Sequence, residues 1–376
     1  MSNEIILKIR GKSFKGWTSV VVEKSLYQMA GAFGLGATDI YPGDAERWDL
    51  AMGDECQVEI DGQVVVTGYV EDIPIDYDAS SHNIQIGGRD KTGDLVDCSF
   101  IMKKNEWKSR KVIDIIKALC SPYGIEVVVH NSIAQKASQR ANQALFPVIT
   151  KTDEKEDSVK VEEGDTVFEA ISKICKVHAI LPVSYGDGKL TLTQAGTSQA
   201  YDSLELGKNV KLGSLDQSNR DRYQTYICKA QSAGFDWMTT ADFVSPKGQI
   251  TDDVIMRYRP LVILLEKGGR AGQCKDRAKW EMLTRAGNSR SLEYHVQGWI
   301  QSNGEVWPLN GLVKVKDSFL QIDETLLVSA LSFSLKEDEG TMTRLKLVHP
   351  NSFTLLPEGA NVIKTGFDWM SKLQGG

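Results

Sequence analysis

The sequence predicts an α+β chain, mainly β, in which two similar small antiparallel β-barrel domains are accompanied by smaller α/β domains. Three observations carry that prediction. From Trp48 to Asp90, apolar and polar residues alternate with period two around short turns, the pattern of a meander with one buried face. A later stretch repeats the plan: Trp307-Pro308-Leu309-Asn310-Gly311 precedes Val313 and Val315 as Trp48 to Gly53 precedes Cys56 and Val58. Asp338-Glu339-Gly340-Thr341 then leads into Leu345 and Leu347 as Asp78 to His82 leads into Ile84 and Ile86. Between the two stretches the period changes to about 3.6, that of an amphipathic helix. There Val112 to Cys120 (VIDIIKALC) aligns without gaps to Val167 to Cys175 (VFEAISKIC), a likeness that periodicity alone also produces.

The first barrel is expected over residues 1–100. Glu4 to Arg10 alternates as an opening strand, Gly11 to Gly16 turns, and Trp17 to Val22 supplies a second strand. Gln28 to Gly36 (QMAGAFGLG) has neither GxGxxG nor GK[ST] spacing, so it is read as a flexible strand or loop and not as a phosphate cradle. Cys56, Val58 and Ile60 share a face, Asp61-Gly62 tolerates positive φ and closes a two-residue hairpin, and Val64 and Val66 resume the alternation. The polar run Asp76 to His82 makes the next turn.

Residues 101–200 hold the α/β part. It comprises a helix from Arg110 to Cys120 ended by Gly124, a strand from Ile125 to Val129, a polar linker near 131–157 and a helix-hairpin at 165–194. In that hairpin Thr166 and Glu169 fit a capping box, and Tyr185-Gly186-Asp187-Gly188 turns between strands. The second barrel is expected in two pieces, residues 201–233, with strands at Val210 to Leu212 and Tyr223 to Cys228, and residues 291–350. Residues 234–290 interrupt it as an insertion with a helix near 272–285, where Cys274, Ala278, Met282 and Leu283 share a face and Trp280 packs. The C-terminal tail, 351–376, keeps Phe353, Leu355, Leu356, Phe367, Trp369 and Met370, which dock on this protein or on a partner.

Composition narrows the function classes. A chain of 376 residues exceeds one comfortable core. A net charge of −6 argues against a broad grip on nucleic acid. The longest apolar run, Leu261 to Leu265, is too short to span a bilayer, and residues 1–20 lack the signal-peptide pattern, so synthesis is expected in the cytoplasm. The six cysteines, at 56, 98, 120, 175, 228 and 274, form no CxxC and are read as small buried residues. Neither HExxH nor GxSxG occurs, and the acidic run Asp153, Glu154, Glu156, Asp157, Glu162, Glu163 and Asp165 reads as a solvated linker, with a weak cation site as the alternative. No catalytic, cofactor-binding or metal-ligating residue is therefore assigned.

The order of elements resembles the baseplate hub proteins of contractile-tailed phages, in particular the tail protein of Mu-type phages and prophages. Three segments carry the likeness: GDECQVEIDGQVVVTGYVEDIPIDYDASSHNIQIGGRDKTGDLVDCS at 53–99, VEEGDTVFEAISKICKVHAILPVSYGDGKLTLTQAG at 161–196 and RAKWEMLTRAGNSRSLEYHVQGWIQSNGEVWPLNGLVKVKD at 277–317. The resemblance implies a multi-domain hub fold and a homotrimeric ring, two barrels per subunit, that joins a hexameric tail tube to a trimeric membrane-piercing spike. It also implies contacts with other baseplate or tape-measure proteins, passage of DNA through a channel without specific binding, assembly in the host cytoplasm and residence in the virion baseplate. Neither an enzymatic activity nor a cofactor is implied. The alternatives are the equivalent part of a tailocin or type VI secretion machine, a baseplate-borne cell-wall hydrolase working through a carboxylate such as Glu162, and a carbohydrate-binding module using Trp237 or Trp369.

Overall fold

Two adjacent residues of positive φ, Asp61 (46°) and Gly62 (77°), make the tight turn that registers the first half of the chain. The turn joins β5 (Glu55–Ile60) to β6 (Gln63–Asp72), with Ile60 opposite Gln63. Around this hairpin lie β1 (Ile5–Ile9), β2 (Lys12–Phe14), β3 (Ser19–Ser25), β4 (Ala32–Ala37), β7 (Ile75–Tyr77) and β8 (His82–Asp90), in the order β3-β4-β8-β6-β5-β1-β2 with β7 beside β8. The computed structural model describes residues 4–37, 50–79, 82–101, 105–130, 155–156, 159–162, 164–178, 180–230, 247–265 and 271–353.

Local chemistry explains where this half departs from expectation. Val64 and Val66 do not share a face: the register shifts between Val58 and Glu59, so Val65 and Val66 are both fully buried and Val64 is exposed. From Ala32 the glycine-rich run becomes a central strand, β4, placed between β3 and β8. The second strand starts at Ser19, after Trp17, and the turn expected from Asp76 shrinks because β7 already pairs Tyr77 with His82. A Cβ on Gly62 would meet nothing within 4 Å, so its conformation alone resists substitution. Gly62→Val is expected to cost about 1–2 kcal/mol through the strained left-handed backbone, read as a lower urea midpoint at unchanged m.

The middle of the chain adds a small α/β unit. It contains α1 (Gly93–Asp97), β9 (Glu106–Trp107), β10 (Arg110–Lys111), α2 (Val112–Cys120), β11 (Val127–Val129), β12 (Lys155–Glu156), β13 (Val159–Lys160), α3 (Val167–Val177), β14 (Leu181–Val183) and β15 (Leu190–Thr193). α1 is a short helix that follows β8 directly. Val112, Ile115, Ile116 and Leu119 of α2 share a core with Val167, Ile171 and Ile174 of α3, beside the three-stranded sheet β11-β15-β14. The capping box is complete: Glu169 N donates to Thr166 Oγ1 (3.2 Å) and Thr166 N to Glu169 Oε2 (2.8 Å). The strand expected from Ile125 begins at Val127, and most of the linker near 131–157 lies outside the described residues.

The second half is built from β16 (Ser198–Gln199), β17 (Leu204–Glu205), β18 (Val210–Gln217), β22 (Arg290–Gln297), β23 (Gly311–Asp317), β24 (Ile322–Lys336) and β25 (Gly340–Val348). Between β18 and β22 the chain leaves to form β19 (Thr225–Ala230), β20 (Lys247–Thr251), β21 (Pro260–Leu265) and α4 (Ala271–Asn288). The strand at Tyr223 to Cys228, expected in the second barrel, is β19, and it pairs with β20 and β21 instead. Tyr226 and Cys228 are buried there against Cys274, Ala278, Met282 and Leu283 of α4, the face expected for that helix. The insertion hangs from a neck in which Ser218 N donates to Ser289 O (2.8 Å) and the buried Arg222 forks onto Asp252 (2.8–3.0 Å). The two halves do not stand apart. β24 pairs with β3, so both belong to one 15-stranded sheet with one continuous apolar core.

Candidate assembly interface

Each half is a module with the same strand path. In the first, β3 pairs β4, β4 pairs β8, β8 pairs β6 and β6 pairs β5, all antiparallel. In the second, β18 pairs β22, β22 pairs β25, β25 pairs β24 and β24 pairs β23, again all antiparallel. The irregularities coincide too. β6 slips against β8 between Val70 and Asp72, and β24 slips against β25 between Val328 and Ala330, at the same distance beyond the preceding hairpin partner. The added strands differ: β1 lies antiparallel on β5, whereas β16 and β17 lie parallel on β23.

The joint between modules is a sheet continuation. β24 presents one edge to β23 over residues 322–327 and the same edge to β3 from Ala330 to Leu335. Leu26 N donates to Ser329 O (2.8 Å) at its start, and Trp299 Nε1 donates to Ser334 O (3.0 Å). Phe333 opposes Val22 and Leu331 opposes Lys24, with Phe333 at 1% exposure and Val22 at none. A seam between β-modules made this way combines ladder hydrogen bonds with apolar burial.

A polar seam fixes the middle unit to the first module. Asp90 is buried, and its carboxylate accepts from Gly31 N (3.0 Å), Thr67 N (3.3 Å) and Ser184 Oγ (3.2 Å). Lys24 Nζ donates to Tyr185 O at 2.6 Å. Burial lowers the Lys24 ammonium to about 8, against the opposing pull of Asp90 and Asp187, and burial raises the Asp90 carboxyl, against Lys24 and the three donors. The β14–β15 turn can approach this closely because Gly186 (φ 87°) has no side chain, and a Cβ there would lie 1.9 Å from Val65 O. Sequence reading missed this seam, although one signal was present. Val20, Val22 and Lys24 share parity in β3, which puts a lysine on the apolar face.

Among the described residues, those considered for chemistry do not converge, and Asp153, Glu154, Asp157 and Glu163 of the acidic run lie outside them. Glu162 is exposed, Asp165 is taken by Lys173 (2.7 Å), and Trp237 and Trp369 lie outside the described residues. Five of the six cysteines are buried, Cys98 partly so, and burial pushes the Cys56 and Cys120 thiols up to about 12. Among the described residues no group of three or more His, Cys, Asp or Glu side chains is placed to hold a metal ion. A cleft of about 400 Å³ between the insertion and the second module contains Arg222, Arg290, Glu324 and His349. Arg222 is committed to Asp252 and Arg290 to Glu324, and burial with the Arg290 charge holds the His349 imidazole below its ordinary value. What the surface offers instead is sheet edge and exposed apolar side chains: Ile75 and Tyr77 on β7, Leu212 on β18, and Met256, Tyr258, Val262 and Leu264 on the insertion.

Comparison with known proteins divides the chain similarly, except that the last match takes α4 together with the second module. Residues 4–90 match the family described as Mu phage baseplate assembly protein GpP-like, N-terminal. Residues 92–144 and 147–194 match the second domain of the baseplate hub protein gp44-like family, and residues 270–356 match the fourth domain of the Mu phage baseplate assembly protein GpP family. The chain is 33% identical over 373 residues to the baseplate hub protein gp44 of Escherichia phage Mu, covering 98% of this chain and 93% of that protein. The 43 kDa tail protein of prophage MuSo2 from Shewanella oneidensis superimposes with a TM-score of 0.77 at 32% identity, covering 94% of this chain and all of that one. The tail protein from Neisseria meningitidis MC58 shares the fold, with a TM-score of 0.74 at 22% identity over 93% of this chain and 98% of its own.

Proposed function

The chain belongs to the baseplate hub protein family of Mu-type phages, and on that premise we propose that three copies close into a ring of six like modules, which adapts a hexameric tail tube to a trimeric membrane-piercing spike. The observation that carries the reading is the shared strand path of β3-β4-β8-β6-β5 and β18-β22-β25-β24-β23. Two like-built modules per subunit are what a threefold assembly needs in order to present six near-equivalent positions. One face of the ring seats the tube and the other holds the spike, so that contraction drives hub, spike and tube forward together. Other baseplate or tape-measure proteins contact the periphery, and assembly takes place in the host cytoplasm.

The task on this reading is mechanical, and no bond is made or broken by the hub. Transmitting force calls for subunit contacts of the obligate class, above about 2,000 Å² each. A net charge of −6 suits a passage through which DNA slides without being trapped. Purified protein is expected to scatter light as a particle of three times 41.6 kDa at micromolar concentration. A monomer under those conditions would sink the ring.

A further inference from the structure

The joint inside one chain is a template for the joint between chains. Matching the two modules through their ladders puts Tyr69 in the place of Leu327, because Tyr69 faces Glu55 and Leu327 faces Leu312, each five residues before the end of its strand at the hairpin loop. Past the shared register slip, Asp72 takes the place of Ala330 and the match runs on to Tyr77 in the place of Leu335. On the other side of the joint, the β4 and β22 ladders put Leu215 in the place of Val22 and Gly213 in the place of Val20.

In the second module the run Ala330–Leu335 is covered by β3. In the first, among the described residues, the matching run Asp72–Tyr77 pairs only with β8, and β18, which matches β3, pairs only with β22 apart from a single bridge of Val210 to Leu206. The exposures follow the pairing. Phe333 is 1% exposed inside the joint while its counterpart Ile75 is 60% exposed, and Tyr77 is 80% exposed.

The backbone groups also match. Gln85 N donates to Pro74 O, so Pro74 turns its backbone toward β8 and its missing N–H costs the outer edge nothing. By alternation Ile73, Ile75 and Tyr77 turn theirs outward. Ser218 N donates to Ser289 O, so the even-numbered residues of β18 face β22, and Gly213, Leu215 and Gln217 face outward. Inside the joint Leu26 N donates to Ser329 O, which makes Lys24 with Leu331, Val22 with Phe333 and Val20 with Leu335 the hydrogen-bonded pairs. Their counterparts are Gln217 with Ile73, Leu215 with Ile75 and Gly213 with Tyr77, the same residues whose donors and acceptors point away from each sheet.

We propose that the Asp72–Tyr77 edge of one subunit adds antiparallel to β18 of the next, with Ile75 opposite Leu215. The contact is head-to-tail, the kind that builds a ring when its rotation per subunit closes, and strand addition of this kind supplies main-chain bonds together with alternate side-chain contacts. This inference rests on the ring reading above and adds the register of its seam.

Asp76 and Ser214 are both exposed and fall opposite one another in a non-hydrogen-bonded pair, where Cα atoms lie about 4.5 Å apart. The test is the double variant Asp76→Cys with Ser214→Cys, oxidised and run without reductant beside each single variant and beside Asp76→Cys with Asp216→Cys, which is two residues out of register. Covalent trimer from the first pair alone is the expected result. A particle of three-copy mass that does not cross-link at Asp76 and Ser214, or that cross-links as well through Asp216, overturns the seam and leaves the ring standing. A protein that stays monomeric and uncross-linked at every concentration overturns the ring and the seam with it.

Discussion

Phe333→Ala is expected to destabilise the folded chain by about 3–5 kcal/mol, the loss from truncating a buried aromatic ring in a close-packed core. Phe333 lies in the seam of β24 with β3, and the apolar cluster around it is continuous through both modules, so the cavity loosens the joint and not one module alone. Urea unfolding followed by both fluorescence and circular dichroism checks this, and the two probes should cease to coincide if the modules unfold separately. The counterpart Ile75→Ala makes the contrast. Ile75 is 60% exposed in the single chain, so its truncation should leave monomer stability within about 0.5 kcal/mol of the parent while weakening the assembled particle.

Asp90→Ala is the second large effect, expected at about 3–5 kcal/mol, the range for breaking one partner of a buried charged network. Gly31 N, Thr67 N and Ser184 Oγ lose their acceptor, and Lys24 loses the carboxylate that opposes its desolvation. The same seam gives a pH signature. In the folded chain Lys24 sits near 8, below its ordinary 10.5, so between those values the unfolded chain holds a proton that the folded chain has released. Stability attributable to this group therefore rises as pH climbs from 8 to 10.5, by about 3 kcal/mol in full. The buried thiols, raised by burial, pull stability down above pH 9 in parent and variant alike, so the rise is read as a difference: between pH 7.5 and 10 the urea midpoint of the parent should gain on that of Lys24→Met. An equal slope in both proteins would remove Lys24 as its source.

What the sequence makes legible here is whatever neighbouring residues decide. Asp61-Gly62 specifies its turn by backbone conformation, and Thr166 with Glu169 specifies a helix start by reciprocal hydrogen bonds; both stand in the structure as read. The alternation at Tyr223 to Cys228 specifies a strand equally well, yet alternation names no partner, and β19 joins the insertion's sheet and not the module next to it in sequence. Register slips are hidden for a related reason. Nothing local distinguishes Val65 from Val64, and the placement of both inward-facing valines is settled by the ladder to β5. The long strand Ile322–Lys336 is not singled out in the sequence, and its double use, β23 first and β3 after, is a property of the whole chain.

The neck at Ser218 and Ser289 brings the two ends of the insertion together, so the strand path of the second module runs on past it. With entry and exit held 2.8 Å apart across a single backbone bond, a graft of any foldable payload whose own ends lie close together leaves the order of the surrounding meander unaltered. A plain reversal such as the one from β3 to β4 serves the first module at the same point of the path, so the whole appendage is dispensable to connectivity.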